Sequence, residues 1–151
     1  MKAVIQRVSE ASVSVEGKVI SQIGKGYLVL LGVVDGDTEK EADIMAEKLL
    51  KLRVFEDENE KMNLSIKDVD GDILVVSQFT LCADCRKGNR PSFTSSAAPD
   101  EANRLYEYFT EKLKAEIKNV GTGEFGADMD VALHNDGPVT ILYDTDIWIR
   151  K

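Results

Sequence analysis

A chain of 151 residues, 43% hydrophobic and 30% charged, has the makeup of one globular domain, large enough to build a core without disulfides or metals. Its formal charge of −8 argues against broad binding along nucleic acid, which needs a net basic face, but leaves room for a local patch that meets one RNA end. No apolar stretch nears the ~20 residues that span a membrane, Lys2-Ala3-Val4-Ile5 starts directly as a strand so that no signal peptide is expected, and two cysteines make no disulfide framework, so a reducing cytoplasm is the expected location.

The chain opens in strand patterns. Residues 3–8 are rich in β-formers, Ser12-Val13-Ser14-Val15 alternates, and Glu16-Gly17 supplies a two-residue turn into a strand over 18–23. Residues 27–34 form an unbroken apolar run, the pattern of a strand buried on both faces, which Asp35-Gly36-Asp37 ends. Thr38 with Glu41 three residues on is a capping box. Ala42, Met45, Leu49 and Leu52 then recur at helical spacing, with Ala46 and Leu50 widening the stripe. Asp57-Glu58-Asn59-Glu60-Lys61 reads as an exposed loop whose acids serve solubility. Residues 72–79 repeat the buried-strand pattern. Pro99-Asp100-Glu101 opens a second helix, with acids against its dipole and the stripe Ala102, Leu105, Tyr106, Phe109, Leu113 and Ile117. Gly121, Gly123 and Gly126 precede two last strands over 129–133 and 139–143. Strands outnumber helices without strict alternation, which predicts the α+β class. The expectation is a single domain over residues 1–151 with a largely antiparallel, barrel-like sheet and two main helices.

Between the last two strands stands His134-Asn135-Asp136-Gly137-Pro138-Val139-Thr140. Proline gives no backbone N–H and is poorly suited to a sheet interior, while glycine before it lets another molecule approach the main chain. An X-Pro bond also adopts cis at about 0.5–1 kcal/mol over trans. The step reads as a rigid ledge of exposed carbonyls, or as an ordinary turn. Ser77-Gln78-Phe79-Thr80-Leu81 follows a buried strand, and its hydroxyls and amide are either a reaction centre or partners for strand-end backbone. A nucleophilic Thr80 needs a base. The only histidine, His134, completes a Thr80–His134–Asp136 triad on paper, but no Gly-x-Ser-x-Gly elbow accompanies it. Cys82-Ala83-Asp84-Cys85 has the spacing of a redox dithiol and too few partners for zinc. Positive charge gathers in Arg86-Lys87-Gly88-Asn89-Arg90-Pro91, either as solvated surface or as an anion contact.

Taken together, these segments resemble the D-aminoacyl-tRNA deacylase family. Ser77-Gln78-Phe79-Thr80-Leu81 and Asn135-Asp136-Gly137-Pro138-Val139-Thr140 look like its two signature motifs. The likeness continues in Met1-Lys2-Ala3-Val4-Ile5-Gln6-Arg7-Val8, in Lys87-Gly88-Asn89-Arg90-Pro91-Ser92-Phe93 and in Phe125-Gly126-Ala127-Asp128-Met129, and so runs through essentially the full chain. The two cysteines are a local departure.

The resemblance implies a homodimer with an active site at each end of the interface. Gly137–Pro138 would be cis, held by Arg7 and flanked by Asn135, and its carbonyls would enter the partner's pocket. There they would face the substrate's α-carbon and exclude L-amino acids by clash. The implied reaction is hydrolysis of the ester of D-aminoacyl-tRNA and glycyl-tRNA. Ser77, Gln78, Phe79 and Thr80 would form the catalytic end, with the Phe79 and Thr80 amides facing the oxyanion. Either Thr80 attacks, or the substrate's terminal ribose 2′-OH assists while Thr80 and Gln78 shape the pocket. Lys87 and Arg90 would meet phosphates near the tRNA 3′ CCA end, and Phe93 or Phe125 would stack on adenine. No cofactor and no metal are implied. A thiol-redox or metal module on Cys82 and Cys85, and a non-catalytic RNA-binding dimer, are the competing readings.

Overall fold

The computed structural model of the chain describes residues 1–149. In chain order it comprises β1 (Lys2–Val15), β2 (Lys18–Ile23), β3 (Gly26–Gly32), α1 (Glu39–Lys51), β4 (Arg53–Glu56), β5 (Met62–Ser65), β6 (Asp72–Ser77), α2 (Pro99–Lys114), β7 (Val120–Thr122) and β8 (Asp130–Asp144), with single 3-10 turns at Phe79–Cys82 and Thr145–Ile147. β1 is the spine. One edge pairs β3 through residues 2–8 and β2 through residues 11–15, and β8 runs antiparallel along the other edge. β6 joins β3 in parallel and β7 joins β6 in parallel, while β4 and β5 form a separate antiparallel hairpin.

The expected antiparallel character holds for β1 with its three neighbours and for β4–β5, and gives way to parallel pairing at β6 and β7. The sheet curls until β7 meets β2. A Cβ on Gly121 would overlap Ser21 Oγ, so glycine is what allows this seam to draw nearly closed. Two cores result. Ile5, Tyr27, Val29 and Ile73 pack under Met45, Leu49, Leu105 and Phe109 of the helices. Val8, Ala11, Val13, Leu28, Leu74 and Val76 fill the inside of the curl. β3 contributes to both, which explains its unbroken apolar run.

Local signals form as read. Glu16 (φ 51°) and Gly17 (φ 77°) make the two-residue hairpin turn between β1 and β2. Thr38 and Glu41 close the capping box, with Glu41 Oε2 accepting from Thr38 N at 2.7 Å and Lys40 N donating to Thr38 Oγ1 at 3.2 Å. Three expectations change. The two strand patterns before residue 16 are one strand, and so are the two after residue 128. The loop expected over 57–61 is the connection of the unforeseen β4–β5 hairpin. The chain start is also fastened: the Met1 ammonium, buried, lies 2.9 Å from Asp37 Oδ2 and donates to Thr145 Oγ1 at 2.9 Å. Among the described residues no helix is long and apolar enough to cross a membrane.

Tyr27 is fully buried against Phe55, ring centroids 5.1 Å apart, and among the described residues its hydroxyl has no hydrogen-bond partner. Burial pushes this phenol up, well above its ordinary range. An orphan buried hydroxyl costs about 1–3 kcal/mol. Tyr27→Phe is therefore expected to keep or raise the midpoint of denaturant unfolding, with the slope unchanged; a clear loss of stability would show that the hydroxyl is bonded.

Candidate active site

The parallel strand β6 ends at Ser77, and Gln78 N still reaches Leu31 O at 2.8 Å. The chain then turns sharply into the 3-10 turn, whose bonds run from Leu81 N to Gln78 O and from Ala83 N to Thr80 O. The amides of Phe79 and Thr80 open this turn and lie outside its ladder. Gln78 Nε2 donates to Thr80 Oγ1. Behind the strand end, Tyr106 OH of α2 donates to Val75 O at 2.7 Å, with burial pushing the phenol up to about 12 so that it acts as a neutral donor.

Ser77, Gln78 and Phe79 form one wall of a cavity of about 510 Å³. Phe125 and Met129 from the segment before β8 form another, and Pro99 and Ala102 at the start of α2 a third. The walls mix apolar side chains with polar groups, Ser77 and Gln78 at the strand end and Ser96 and Asp128 beyond it. Thr80, exposed, stands at the rim through its bond with Gln78.

The second motif lies elsewhere. β1 and β8 pair at Gln6–Thr140 and at Val8–Asn135, so Arg7 alone stands opposite Asp136, Gly137, Pro138 and Val139. The four residues bulge out, Gly137–Pro138 is cis, and both residues are exposed. The Arg7 side chain, 6% exposed, fills the gap beneath: Nε donates to Asp136 O at 3.1 Å and Nη1 to Val54 O at 2.6 Å. Glu56 and the Asp136 carboxylate flank it at 3.8 and 3.6 Å. Asn135 Oδ1 accepts from Val139 N at 3.1 Å, and Asn135 Nδ2 donates to Thr140 Oγ1 at 3.0 Å, which ties the bulge to itself.

Within one chain the two motifs do not meet. Gln78 adjoins Leu31, which pairs with Ala3, whereas the bulge stands opposite Arg7 on the far edge of β1. Four residues along and three strands across place them roughly 20 Å apart over the sheet.

The model of the D-Tyr-tRNA(Tyr) deacylase family matches residues 4–144. The chain belongs to the D-Tyr-tRNA(Tyr) deacylase family. It is 57% identical over 145 residues to a D-aminoacyl-tRNA deacylase of Clostridium botulinum, covering 96% of this chain and 97% of that one. It is 58% identical over 146 residues to one of Thermosipho melanesiensis, with the same coverage. A solved structure described as c-Myc DNA unwinding element binding protein superposes with a TM-score of 0.91 at 47% identity, over 95% of this chain and 98% of that one. A probable eukaryotic D-amino acid tRNA deacylase shares the fold, at 18% identity and a TM-score of 0.81, over 94% of this chain and 97% of that one.

In this deacylase-family chain the remaining predicted residues separate. Phe125 lines the cavity; Phe93 does not, and packs edge-on against Phe79 instead, ring centroids 5.0 Å apart. Lys87 and Arg90 are exposed on the loop, whereas Arg86 is taken up by Asp84, holding that carboxyl down at about 2. The paper triad does not form: His134 faces Glu10 at 3.2 Å, and Asp136 belongs to Arg7. Cys82 is buried with its sulfur 3.6 Å from Val33 O, Cys85 is exposed, and both are free. Among the described residues no group of three His, Cys, Asp or Glu comes together. Sequence reasoning missed Val54 and Glu56 as supports of Arg7, since of the β4–β5 hairpin only the connecting loop over 57–61 is legible.

Two outcomes follow from this geometry. A Cβ on Gly137, at φ 125°, would lie 2.9 Å from Arg7 Nη2 and 3.0 Å from Val139 Cγ2. Gly137→Ala is expected to cost about 1–3 kcal/mol in denaturant unfolding, and an unchanged midpoint would mean that the bulge yields freely. Burial pushes the Cys82 thiol up, so a thiol reagent should label one cysteine in the native protein and two after unfolding; two fast native thiols would restore the dithiol reading.

Proposed function

We propose that the protein hydrolyses the ester of D-aminoacyl-tRNA, and of glycyl-tRNA, with the amino acid's handedness tested by the Gly137–Pro138 backbone of a second copy. The observation that carries this reading is the split just described: a cavity built on Ser77-Gln78-Phe79 and a braced, exposed backbone step roughly 20 Å away. Each is half of a site. The curated relatives named above as D-aminoacyl-tRNA deacylases support the reaction class.

The second copy has a surface to take. Val4, Leu81, Leu142, Tyr143 and Ile147 line an apolar groove beside the 3-10 turn, and Leu142 and Ile147 are 73% and 68% exposed. A two-fold contact through this face is isologous, so it places two ledges and two pockets at opposite ends of one interface. Leu142→Glu is expected to give monomers in sedimentation analysis and to abolish turnover together; active monomers would end the shared-site reading.

Water attacks the carbonyl carbon, the bond to the ribose oxygen breaks, and the tRNA leaves with its hydroxyl while the amino acid keeps the water's oxygen. The charge that forms on the carbonyl oxygen falls to the amides of Phe79 and Thr80. The hydrogen bond given to Thr80 comes from Gln78, a neutral amide that cannot accept its proton. The terminal 2′-OH of the substrate therefore assists the water, and Thr80 and Gln78 shape the rim. Adenine stacks on Phe125 in the cavity, and Lys87 and Arg90 meet phosphates of the single-stranded end. Backbone carbonyls at the α-carbon leave no room for an L side chain, because main chain held at both ends does not swing aside as a side chain does.

Single-turnover assays on D-tyrosyl-, L-tyrosyl- and glycyl-tRNA test the reading: D and glycyl esters are cleaved and L is spared. Equal cleavage of D and L would discard the ledge, and binding without cleavage would leave a tRNA-binding protein. Thr80→Ala is expected to hold its rate within about tenfold, below the roughly 10²–10⁴-fold that losing a proton-transfer group costs. The double change Lys87→Ala/Arg90→Ala is expected to flatten the salt dependence of tRNA binding by about 1.4 in log–log slope, two single-strand phosphate contacts.

A further inference from the structure

Phe93 lies outside the cavity, yet it touches the one aromatic side chain of the 3-10 turn. Its ring meets that of Phe79 edge to face at 5.0 Å and 65°, on a surface where Phe79 is otherwise 55% exposed. The segment that carries Phe93 is the returning limb of the basic loop, and this limb is fastened in several places. Asp84 and Ser92 exchange two backbone hydrogen bonds of 2.8 and 2.9 Å, which close the loop at its base. Ser95 Oγ donates to Cys82 O at 2.8 Å, at the end of the turn. Asp35 N to Ser95 O at 2.8 Å and Ala97 N to Val33 O at 3.0 Å anchor the limb to the end of β3. The outgoing limb leaves the turn directly, with Ala83 N on Thr80 O at 3.1 Å. The turn, its ring and both limbs of the basic loop are therefore one braced unit.

A four-residue 3-10 turn has few bonds of its own to fix where its first amides point. A ring on Phe79 that was free in solvent would let the turn rotate. The edge-to-face contact removes that freedom at the residue whose N–H faces the developing oxyanion.

We propose that Phe93 is a positioning residue: it acts through the Phe79 ring to hold the Phe79 and Thr80 amides on the reacting carbonyl, and it joins the phosphate-contacting loop to that turn. This rests on the function proposed above, and it assigns Phe93 a role other than stacking on adenine.

The test is a double-mutant cycle of Phe79→Leu and Phe93→Leu on the full-length protein, read as kcat and KM with D-tyrosyl-tRNA and with the minimal ester 3′-D-tyrosyl-adenosine. An edge-to-face pair contributes about 0.5–1.5 kcal/mol, so Phe93→Leu is expected to lower kcat about two- to twelvefold on both substrates with KM nearly unchanged. In the Phe79→Leu background it is expected to cause no further loss. A loss confined to KM, or equal losses in both backgrounds, would overturn the proposal and return Phe93 to base stacking. Full activity of Phe93→Leu would overturn it as well. Thermal unfolding of each variant separates misfolding from misplacement, and Phe93→Tyr, which keeps the ring, is expected to restore kcat. Failure of the wild-type protein to cleave either ester would instead remove the underlying function.

Discussion

The guanidinium of Arg7 is given to backbone carbonyls, Asp136 O on one side and Val54 O on the other. It stands at the one position of β1 between Gln6 and Val8 where the ladder to β8 is interrupted, so a side chain supplies bonding that the main chain cannot. A charge taken this far from water is costly unless its donors are used. Here two carbonyls and two half-exposed carboxylates, Glu56 and Asp136, answer it. Lysine would not do the same, because its single ammonium lacks a planar fork that reaches two elements at once. The consequence is that the bulge, the long strand β1 and the small β4–β5 hairpin are fixed to one another through a single group.

That brace reconciles two demands on Gly137–Pro138. In the proposed function the step would have to be exposed to reach another molecule, whereas exposed loops are ordinarily mobile. Arg7 below, Asn135 within and Thr140 at the end hold the bulge from its buried side, while Gly137 and Pro138 stay exposed. The cavity at Ser77–Thr80 is supported by other means, through Tyr106 on Val75 and the end of the parallel strands β3 and β6. In the proposed function, two half-sites with independent supports would be brought together by a second copy without either distorting the other.

The α+β class, both helices, the capping box of α1, the proline entry of α2, the hairpin at Glu16-Gly17 and the buried strands β3 and β6 were legible in the sequence because each rests on local or periodic signals. The continuity of β1 and β8 was not. At Val8 and Glu10 a bulge shifts the alternation, so that Ile5 faces the helices while Val8, Ala11 and Val13 all face the inner core. A phase change of this kind reads as a break between two strands. In β8 the Gly-Pro step does the same on a larger scale. The β4–β5 hairpin was hidden for a different reason: its strands are four residues each and its connection is acidic, so no period emerges. Its closest contact with Arg7 is a main-chain carbonyl, which any residue at position 54 would offer, and only the Glu56 carboxylate beside it depends on residue identity.

The same reason decides which functional readings survive. Motifs that depend on reactive side chains, the His134 triad and the Cys82–Cys85 pair, are drawn from residue identity alone, and the fold separates their members by strand pairing and burial. What the fold presents in the two motifs is largely main chain: amides at the start of a 3-10 turn and, apart from it, the backbone of a bulge. Such atoms leave a trace in sequence only where geometry restricts the residue, and Gly137 is the clearest case, since a Cβ there has no room above Arg7. The stereochemical selection proposed above would be well served by this choice. A pocket of side chains distinguishes D from L through contacts that can repack, whereas braced carbonyls can only exclude, so under the function proposed above handedness would be read by atoms that no single side-chain substitution can replace.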